Sequence, residues 1–207
     1  MVEQRTCNAQ VVSSILTGGS IFLNRTKNPE KKGAMMEDKS FPHEKFDELL
    51  RANAEYVKSF KYSELSGSAA KGLAIVTCMD SRINPLSVVG MQSGDAKILR
   101  NAGARVTEDV IRTLVLATYL LNVDRILVMP HTDCAMARGD EADIHELIDE
   151  KFGVDTRSLE FRTTRDQKAA LAVDVNRIRA YPLLRKGVTV AGAIYDVKTG
   201  TIQPVDC

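Results

Sequence analysis

Residues 73–82, with the sequence LAIVTCMDSR, contain three side chains that the packing of a core does not require together. The apolar run at 73–76 is typical of a buried strand. Cys78, Asp80 and Arg82 follow at alternate positions, and in extended backbone such side chains project to the same side. The pattern therefore predicts that a soft metal ligand, a carboxylate and a permanent cation share one small space at the end of a strand.

A second stretch with metal-ligand spacing follows another apolar run. The sequence RILVMP at 125–130 predicts a buried strand, and HTDCAM follows it directly, so His131 and Cys134 lie at its end. The spacing His-x-x-Cys lets one turn supply two ligands, and Cys78 on a neighbouring strand can supply a third. Two thiolates and an imidazole suit zinc, and three protein ligands leave a position open for catalysis, whereas structural zinc sites normally have four.

Each of these features has a simpler interpretation when it stands alone. A single cysteine at the end of a strand is most often a small buried apolar residue. Asp80 and Arg82 alone would form a structural ion pair, and a lone His-x-x-Cys spacing arises by chance. We interpret Asp133, between the two ligands, as a turn residue rather than a partner of the site. The combination of all these features at two predicted strand ends favours a catalytic metal.

The surrounding pattern predicts the elements that would position these strand ends. Apolar residues at helical spacing predict four helices, over 41–60, 106–123, 140–153 and 165–181. Besides the two strands above, a strand is predicted at 96–103 and a strand–turn–strand unit over 188–205. Apolar strands that alternate with helices predict an α/β fold, a mostly parallel β-sheet flanked by helices. In such a sheet, ligands bind beyond the carboxyl ends of the strands, where Cys78, His131 and Cys134 are predicted to lie.

Composition excludes several classes of protein. The 207 residues suit one domain, and contents of 44% hydrophobic and 27% charged residues are those of a globular protein. The net charge is +1 and the basic residues are dispersed, so nothing indicates a nucleic-acid partner. No apolar run reaches the roughly 18 residues of a membrane span. Four scattered cysteines do not predict a disulfide framework, so we expect a reduced, cytoplasmic location.

The first 40 residues differ from the rest of the chain. They lack clear periodicity, and we interpret 1–40 as an N-terminal arm, flexible or wrapped around a partner, that precedes a domain at 41–207. The first 25 residues contain a single acid, Glu3, which is a weak resemblance to a mitochondrial presequence and makes a mitochondrial location the alternative. A start of the working chain near Met35 or Met36 is a further alternative.

Three motifs together carry a resemblance to a known family. CMDSR (78–82), RNAGA (100–104) and HTDC (131–134), in this order within an α/β sheet, resemble the motifs of the β-class carbonic anhydrases. The resemblance extends from about residue 41 to the C-terminus. It is strongest to the short bacterial and fungal branch, which also contains carbonyl sulfide hydrolases.

The resemblance implies the composition of the site and its chemistry. One zinc ion per chain would be held by Cys78, His131 and Cys134, beside an Asp80–Arg82 dyad. Zinc-bound hydroxide would then hydrate carbon dioxide to bicarbonate, with Asp80 orienting the hydroxide. A free Asp80 carboxylate could instead bind zinc and displace the water, so Arg82 would hold it back through a charge-assisted pair. The resemblance also implies a homodimer or a homotetramer built from two dimers.

Two departures from the family pattern leave the substrate open. The plant-type members have a substrate-positioning glutamine before the first zinc cysteine, and SGSAAKG at 66–72 has none. Those members also have glycine where this chain has Ala135, which is a mild change. Substrate would then be oriented by backbone groups of the second motif, namely those of Asn101, Ala102, Gly103 and Ala104.

Two other functions compete with hydration of carbon dioxide. The first is hydrolysis of carbonyl sulfide or carbon disulfide by the same zinc hydroxide, with release of hydrogen sulfide. The second is a noncatalytic zinc scaffold in which Asp80 closes the metal site permanently. Metal-dependent turnover separates the scaffold from both enzymes.

Overall fold

The structure is a computed structural model, and it describes residues 40–207. The predicted N-terminal arm lies, except for residue 40, outside the described residues, and the presequence-like pattern lies wholly outside them. By its contacts the chain divides into two units, Met1–Ala52 and Asn53–Cys207. The second unit contains the whole sheet and all three predicted metal ligands.

The first helix, α1, spans His43–Lys58, close to the predicted range of 41–60. All 16 of its residues are exposed in the single chain. Its apolar side chains nevertheless follow helical spacing, so the helix carries one apolar stripe. The members of this stripe within the helix are Phe46, Leu49, Leu50, Tyr56 and Val57.

Five strands form one sheet. They are β1 (Leu73–Cys78), β2 (Ala96–Asn101), β3 (Arg125–Met129), β4 (Thr189–Tyr195) and β5 (Ile202–Val205). Their order is β2-β1-β3-β4-β5, with the first four parallel to one another and β5 antiparallel to β4. The predicted α/β fold with a mostly parallel sheet is therefore confirmed. The turn between β4 and β5 is closed by the Asp196 carboxylate, which accepts hydrogen bonds from the backbone N–H groups of Lys198 and Thr199.

Four further helices accompany the sheet. They are α2 (Pro85–Val88), α3 (Glu108–Leu120), α4 (Glu141–Phe152) and α5 (Gln167–Arg179). The last three end within one to three residues of the predicted bounds, because their caps are local features. Thr107 caps α3 as its sequence position indicates, by accepting a hydrogen bond from the N–H of Val110 at 3.4 Å. Helix α2 was not predicted, since four residues are too few to show an apolar period.

Both faces of the interior strand β1 are covered, which is why all six of its residues are buried. Ala74 and Val76 belong to the larger hydrophobic cluster, which α3 and α5 complete. Leu73 and Ile75 point to the opposite face and belong to a smaller cluster beside α2. Alternate side chains of one strand thus anchor both layers of the domain, and this fixes the end of the strand where Cys78 lies.

The apolar-rich stretch at 114–121 lies in and just after α3, and only part of it faces the core. Leu114 is completely buried, but Leu116, Tyr119 and Leu120 are 48%, 58% and 69% exposed. Seven of the eight residues at 114–121 are apolar, so apolar side chains lie on all sides of the helix, whereas the core covers only one side. Within the described residues, no helix is both long and apolar enough to cross a membrane.

Candidate metal centre

The three predicted ligands meet at one edge of the sheet. Because β1 and β3 are adjacent and parallel, their carboxyl ends lie side by side. Cys78 is the last residue of β1, and His131 and Cys134 follow β3. The ligand atoms of these three residues all lie within 4.8 Å of one another, and all three residues are buried.

The segment after β3 is held on both sides by backbone contacts. The carbonyl of Pro130 accepts a hydrogen bond from Tyr195 N–H, and Thr132 N–H donates to the carbonyl of Tyr195, each at 2.9 Å. The Gln167 side chain donates to the carbonyl of His131 at 2.9 Å. Asp133 then adopts a left-handed conformation with φ 57°, in the predicted turn that leads to Cys134.

The ring of His131 is oriented for a ligand on its second nitrogen. Its Nδ1 lies 2.8 Å from the carbonyl oxygen of Thr132, which fixes the proton on Nδ1 and leaves Nε2 as an acceptor. This Nε2 is buried, and in the described part of the chain it has no hydrogen-bond partner. A buried, unpaired ring nitrogen beside two thiols is what a metal ligand requires.

The two thiols behave as one acidic unit. The neighbouring Cys134 thiol, and after it the His131 ring, lower the pKa of Cys78, and the N–H of Gly103 also points at this sulfur, at 3.4 Å. The hydrogen bond to Cys78, together with burial, raises the pKa of Cys134. The pair therefore holds one negative charge readily and gives up its second proton to a bound cation. With the His131 nitrogen, these donors fit a divalent metal ion.

The predicted dyad lies beside these ligands. Arg82 grips the Asp80 carboxylate with two parallel hydrogen bonds, from Nε at 3.0 Å and from Nη2 at 2.7 Å. These bonds hold the pKa of the Asp80 carboxyl far below its usual range, so Asp80 is a carboxylate at neutral pH. Its Oδ2 lies 3.6 Å from Nε2 of His131, so the carboxylate is at the edge of the ligand cluster.

Arg100 is a contributor that the sequence analysis missed. It pairs with Thr77 across the β2–β1 ladder, and its Nε donates to the carbonyl of Cys78 at 2.9 Å. Its Nη2 donates to the carbonyl of Asp80 at 2.6 Å. One guanidinium thus fixes the backbone on both sides of Met79, between the first ligand and the dyad carboxylate. The sequence offered one signal for this role, because Arg100 is a cation within the strand predicted at 96–103.

Asp133 has a larger role than the turn residue that the sequence suggested. Its Oδ2 accepts a hydrogen bond from Nη1 of Arg82 at 2.9 Å. Its Oδ1 accepts from Nη2 of Arg138 at 2.5 Å. The sequence shows the turn because a turn is local, but it does not show a contact between residues 51 positions apart.

The four residues expected to line a substrate pocket have different surroundings. Ala102 lines an open pocket of about 610 Å³ together with the ligands and the dyad. The side chain of Asn101 is engaged elsewhere, because it donates to the carbonyl of Arg105 and accepts from its N–H. Gly103 directs its N–H to the Cys78 sulfur, and Ala104 is buried.

Comparisons with known proteins are consistent across sequence and structure. A family model described as carbonic anhydrase matches residues 73–202. Beta-carbonic anhydrase 1 of Mycobacterium tuberculosis is 34% identical over 160 residues, which cover 77% of this chain and 96% of that protein. A carbon disulfide hydrolase of Acidithiobacillus thiooxidans is 28% identical over 152 residues, which cover 64% of this chain and 76% of that protein.

Solved structures give the same result. The crystal structure of a carbonic anhydrase from Streptococcus mutans has a TM-score of 0.73 and 37% identity, and the match covers 78% of this chain and 97% of that one. A carbonic anhydrase from Glaciozyma antarctica has a TM-score of 0.67 and 30% identity, covering 82% of this chain and 98% of that one. A second family model, named for the uncharacterized protein YPR108W-A, matches residues 1–26, which lie outside the described residues.

Replacement of either ligating cysteine should remove the metal. We expect about one divalent metal ion per wild-type chain, and loss of most of it in Cys78→Ser and in Cys134→Ser, because a hydroxyl does not replace a thiolate ligand. Cys207→Ser is the matched control, since this half-buried thiol contacts the carbonyl of Val205 instead. Metal analysis of the purified proteins decides the matter. Full occupancy in both ligand variants would contradict the assignment.

Proposed function

The chain belongs to the carbonic anhydrase family, in its β class, and from this premise we propose that it is a zinc lyase of the carbonate dehydratase type, hydrating carbon dioxide to bicarbonate. The observation that carries the proposal is the buried set of Cys78, His131 and Cys134 beside a carboxylate that an arginine holds. A bound zinc ion would lower the pKa of a water molecule and so supply hydroxide near neutrality.

The residues of the chain give that nucleophile its direction. Asp80 is ionised and lies at the edge of the ligand cluster, so its carboxylate can accept a hydrogen bond and aim an oxygen lone pair at an electrophilic carbon. Arg82 keeps this carboxylate in the orienting position through two parallel hydrogen bonds. Without these hydrogen bonds, the Asp80 carboxylate would compete with water for the open position on the metal. The dyad thus favours the enzyme over the noncatalytic scaffold.

Hydrolysis of carbonyl sulfide or carbon disulfide is the second candidate function. One structural observation favours it: two methionines, Met79 and Met136, line the open pocket beside the ligands. Their polarisable thioethers suit an apolar, sulfur-containing molecule as well as carbon dioxide. The carbon disulfide hydrolases among the relatives point in the same direction.

Turnover of both substrates by one preparation tests the proposal. We expect the zinc-loaded protein to hydrate carbon dioxide with a larger kcat/KM than it shows for carbonyl sulfide or carbon disulfide, and we expect the metal-free protein to do neither. Stopped-flow measurement of proton release and detection of hydrogen sulfide provide the two assays. A reversed preference would assign the second function, and a fully metallated protein without either activity would leave only the scaffold.

The dyad is tested by a double-mutant cycle. We expect Asp80→Ala to retain the metal but to lower kcat/KM by about 10²-fold, the scale of an orienting or acid–base group. Arg82→Ala should lower it at least as much, because the freed carboxylate can then block the metal. The two losses should not add, since Arg82 has nothing to restrain once Asp80 is gone. Additive losses in the Asp80→Ala, Arg82→Ala double variant would mean that the pair is only structural.

We also propose that the chain assembles as a homodimer, or as a tetramer of two dimers. The apolar stripe of α1 is exposed along its length, with Leu50 at 45% and Val57 at 62%. Among the described strands, β2 pairs only with β1, which leaves one edge of the sheet open. Exposed apolar stripes and open strand edges both favour association with a second copy.

A charge introduced into the stripe should break this assembly. We expect the double variant Leu50→Glu, Val57→Glu to sediment as a monomer at micromolar concentration, because two carboxylates would have to be buried in the interface. Arg51→Glu is the control, since it introduces the same side chain on the polar side of the helix. Analytical ultracentrifugation measures both. A wild-type protein that is monomeric and fully active would contradict the proposal.

A further inference from the structure

The guanidinium of Arg82 is shared between two loops of the site. Besides its contacts with Asp80, it donates through Nη1 to the Asp133 carboxylate at 2.9 Å and through Nη2 to the Asp133 carbonyl at 3.2 Å. We propose that Asp133 is a positioning residue, which holds Arg82 in the orientation that keeps Asp80 from closing the metal site. This inference rests on the proposed function, because it concerns the open position of the same metal.

The placement of Asp133 connects the two loops that carry the ligands. Cys78 ends β1, immediately before the loop of the dyad, whereas Asp133 lies between the other two ligands, His131 and Cys134. The Arg82–Asp133 contact therefore fixes the position of the dyad relative to the segment that carries His131 and Cys134. Without the Asp133 carboxylate, Arg82 would keep only the 3.2 Å contact with the Asp133 carbonyl as a described contact beyond its own loop. Asp80 and Arg82 could then shift together towards the metal.

The Asp80 carboxylate already lies close to the predicted metal ligands. Asp80 Oδ2 is already 3.6 Å from Nε2 of His131. The orientation of Arg82 is therefore decisive, because a long, flexible side chain that has lost its ion-pair partner on the other side can follow the carboxylate. The remaining contact with the Asp133 carbonyl is a single hydrogen bond at 3.2 Å. Asp133 supplies the partner on the other side.

Arg138 completes the arrangement at the surface. Charges alternate along the series Asp80, Arg82, Asp133 and Arg138, so two carboxylates are balanced by two guanidinium groups. The two arginines also hold the pKa of Asp133 below its ordinary value, so it remains an acceptor for both. The side chains of Asp133 and Arg138 are 39% and 66% exposed. Solvent screens such pairs, so we expect them to contribute little to stability and to act through geometry.

Anion binding by the cobalt-substituted protein tests the proposal without depending on turnover. Azide should displace water from an open cobalt site and change its visible absorption bands. In Asp133→Ala, Asp80 should close part of the population, and the apparent Kd for azide should rise by roughly three- to tenfold, since it scales inversely with the open fraction. Asp133→Asn retains one acceptor for Nη1 without the charge, so we expect a smaller rise in the same direction.

The double variant Asp80→Ala, Asp133→Ala identifies the cause. It should bind azide as tightly as Asp80→Ala does, because no carboxylate remains to compete. Asp149→Asn is the matched control, as it removes an equivalent exposed carboxylate, paired with Arg157, outside the pocket. This control should bind azide like the wild type, and the urea midpoints of Asp133→Asn and Asp149→Asn should be alike.

Three results would overturn the proposal. The first is an unchanged azide Kd in both Asp133 variants at full cobalt content. The second is equally weak binding in the double variant, which would mean that Asp133 acts by another route than Asp80. The third is a wild-type site that does not bind azide, since Asp80 would then already occupy it. A metallated protein that turns over neither substrate would refute the proposed function but leave these binding results interpretable.

Discussion

Parallel pairing of β1 with β3 is the constraint on which the site depends. It aligns two strand ends at the same edge of the sheet, so that Cys78 from one and the His131–Cys134 turn from the other converge without a long loop. The register is maintained by burial on both faces of β1, because a slip of one residue would exchange its two hydrophobic faces. The packing of the core therefore also brings the three candidate ligands together.

Two arginines then fix the segments after β1 and β3, which the sheet by itself only brings close to one another. Arg100 reaches across from β2 to the carbonyl groups of Cys78 and Asp80, and Arg82 reaches from the dyad loop to Asp133. A guanidinium suits this work because its donors are planar, fixed in direction and charged at any pH the fold survives. The backbone near the candidate ligands is thus positioned from a strand on one side and from a turn on the other.

Local features of the sequence predicted most of the helices, the strands and the ligand cluster. The features that they did not predict depend on contacts between residues distant along the chain or on helices too short to show a period. The apolar run before Cys78 and the cap at Thr107 are visible within a few residues, so strand and helix were both expected where they lie. Helix α2 is too short to show a period, and the exposed side of α3 depends on which faces the sheet leaves uncovered. Asp133 was interpreted as a turn residue because a turn is local, whereas Arg82 is distant along the chain and adjacent only in the fold.

The contacts around the pocket also indicate how a substrate would be oriented. Asn101 has its amide engaged by the backbone of Arg105, and the guanidinium of Arg82 is bound to Asp80 and Asp133. Met79 and Met136 present apolar surface beside the ligands instead. Carbon dioxide and its sulfur analogues are small, linear and uncharged, so such a pocket can admit them without providing strong hydrogen bonds. Under the proposed function, orientation would then come mainly from the nucleophile, and the rate would depend on the position of the Asp80 carboxylate and of every residue that restrains it.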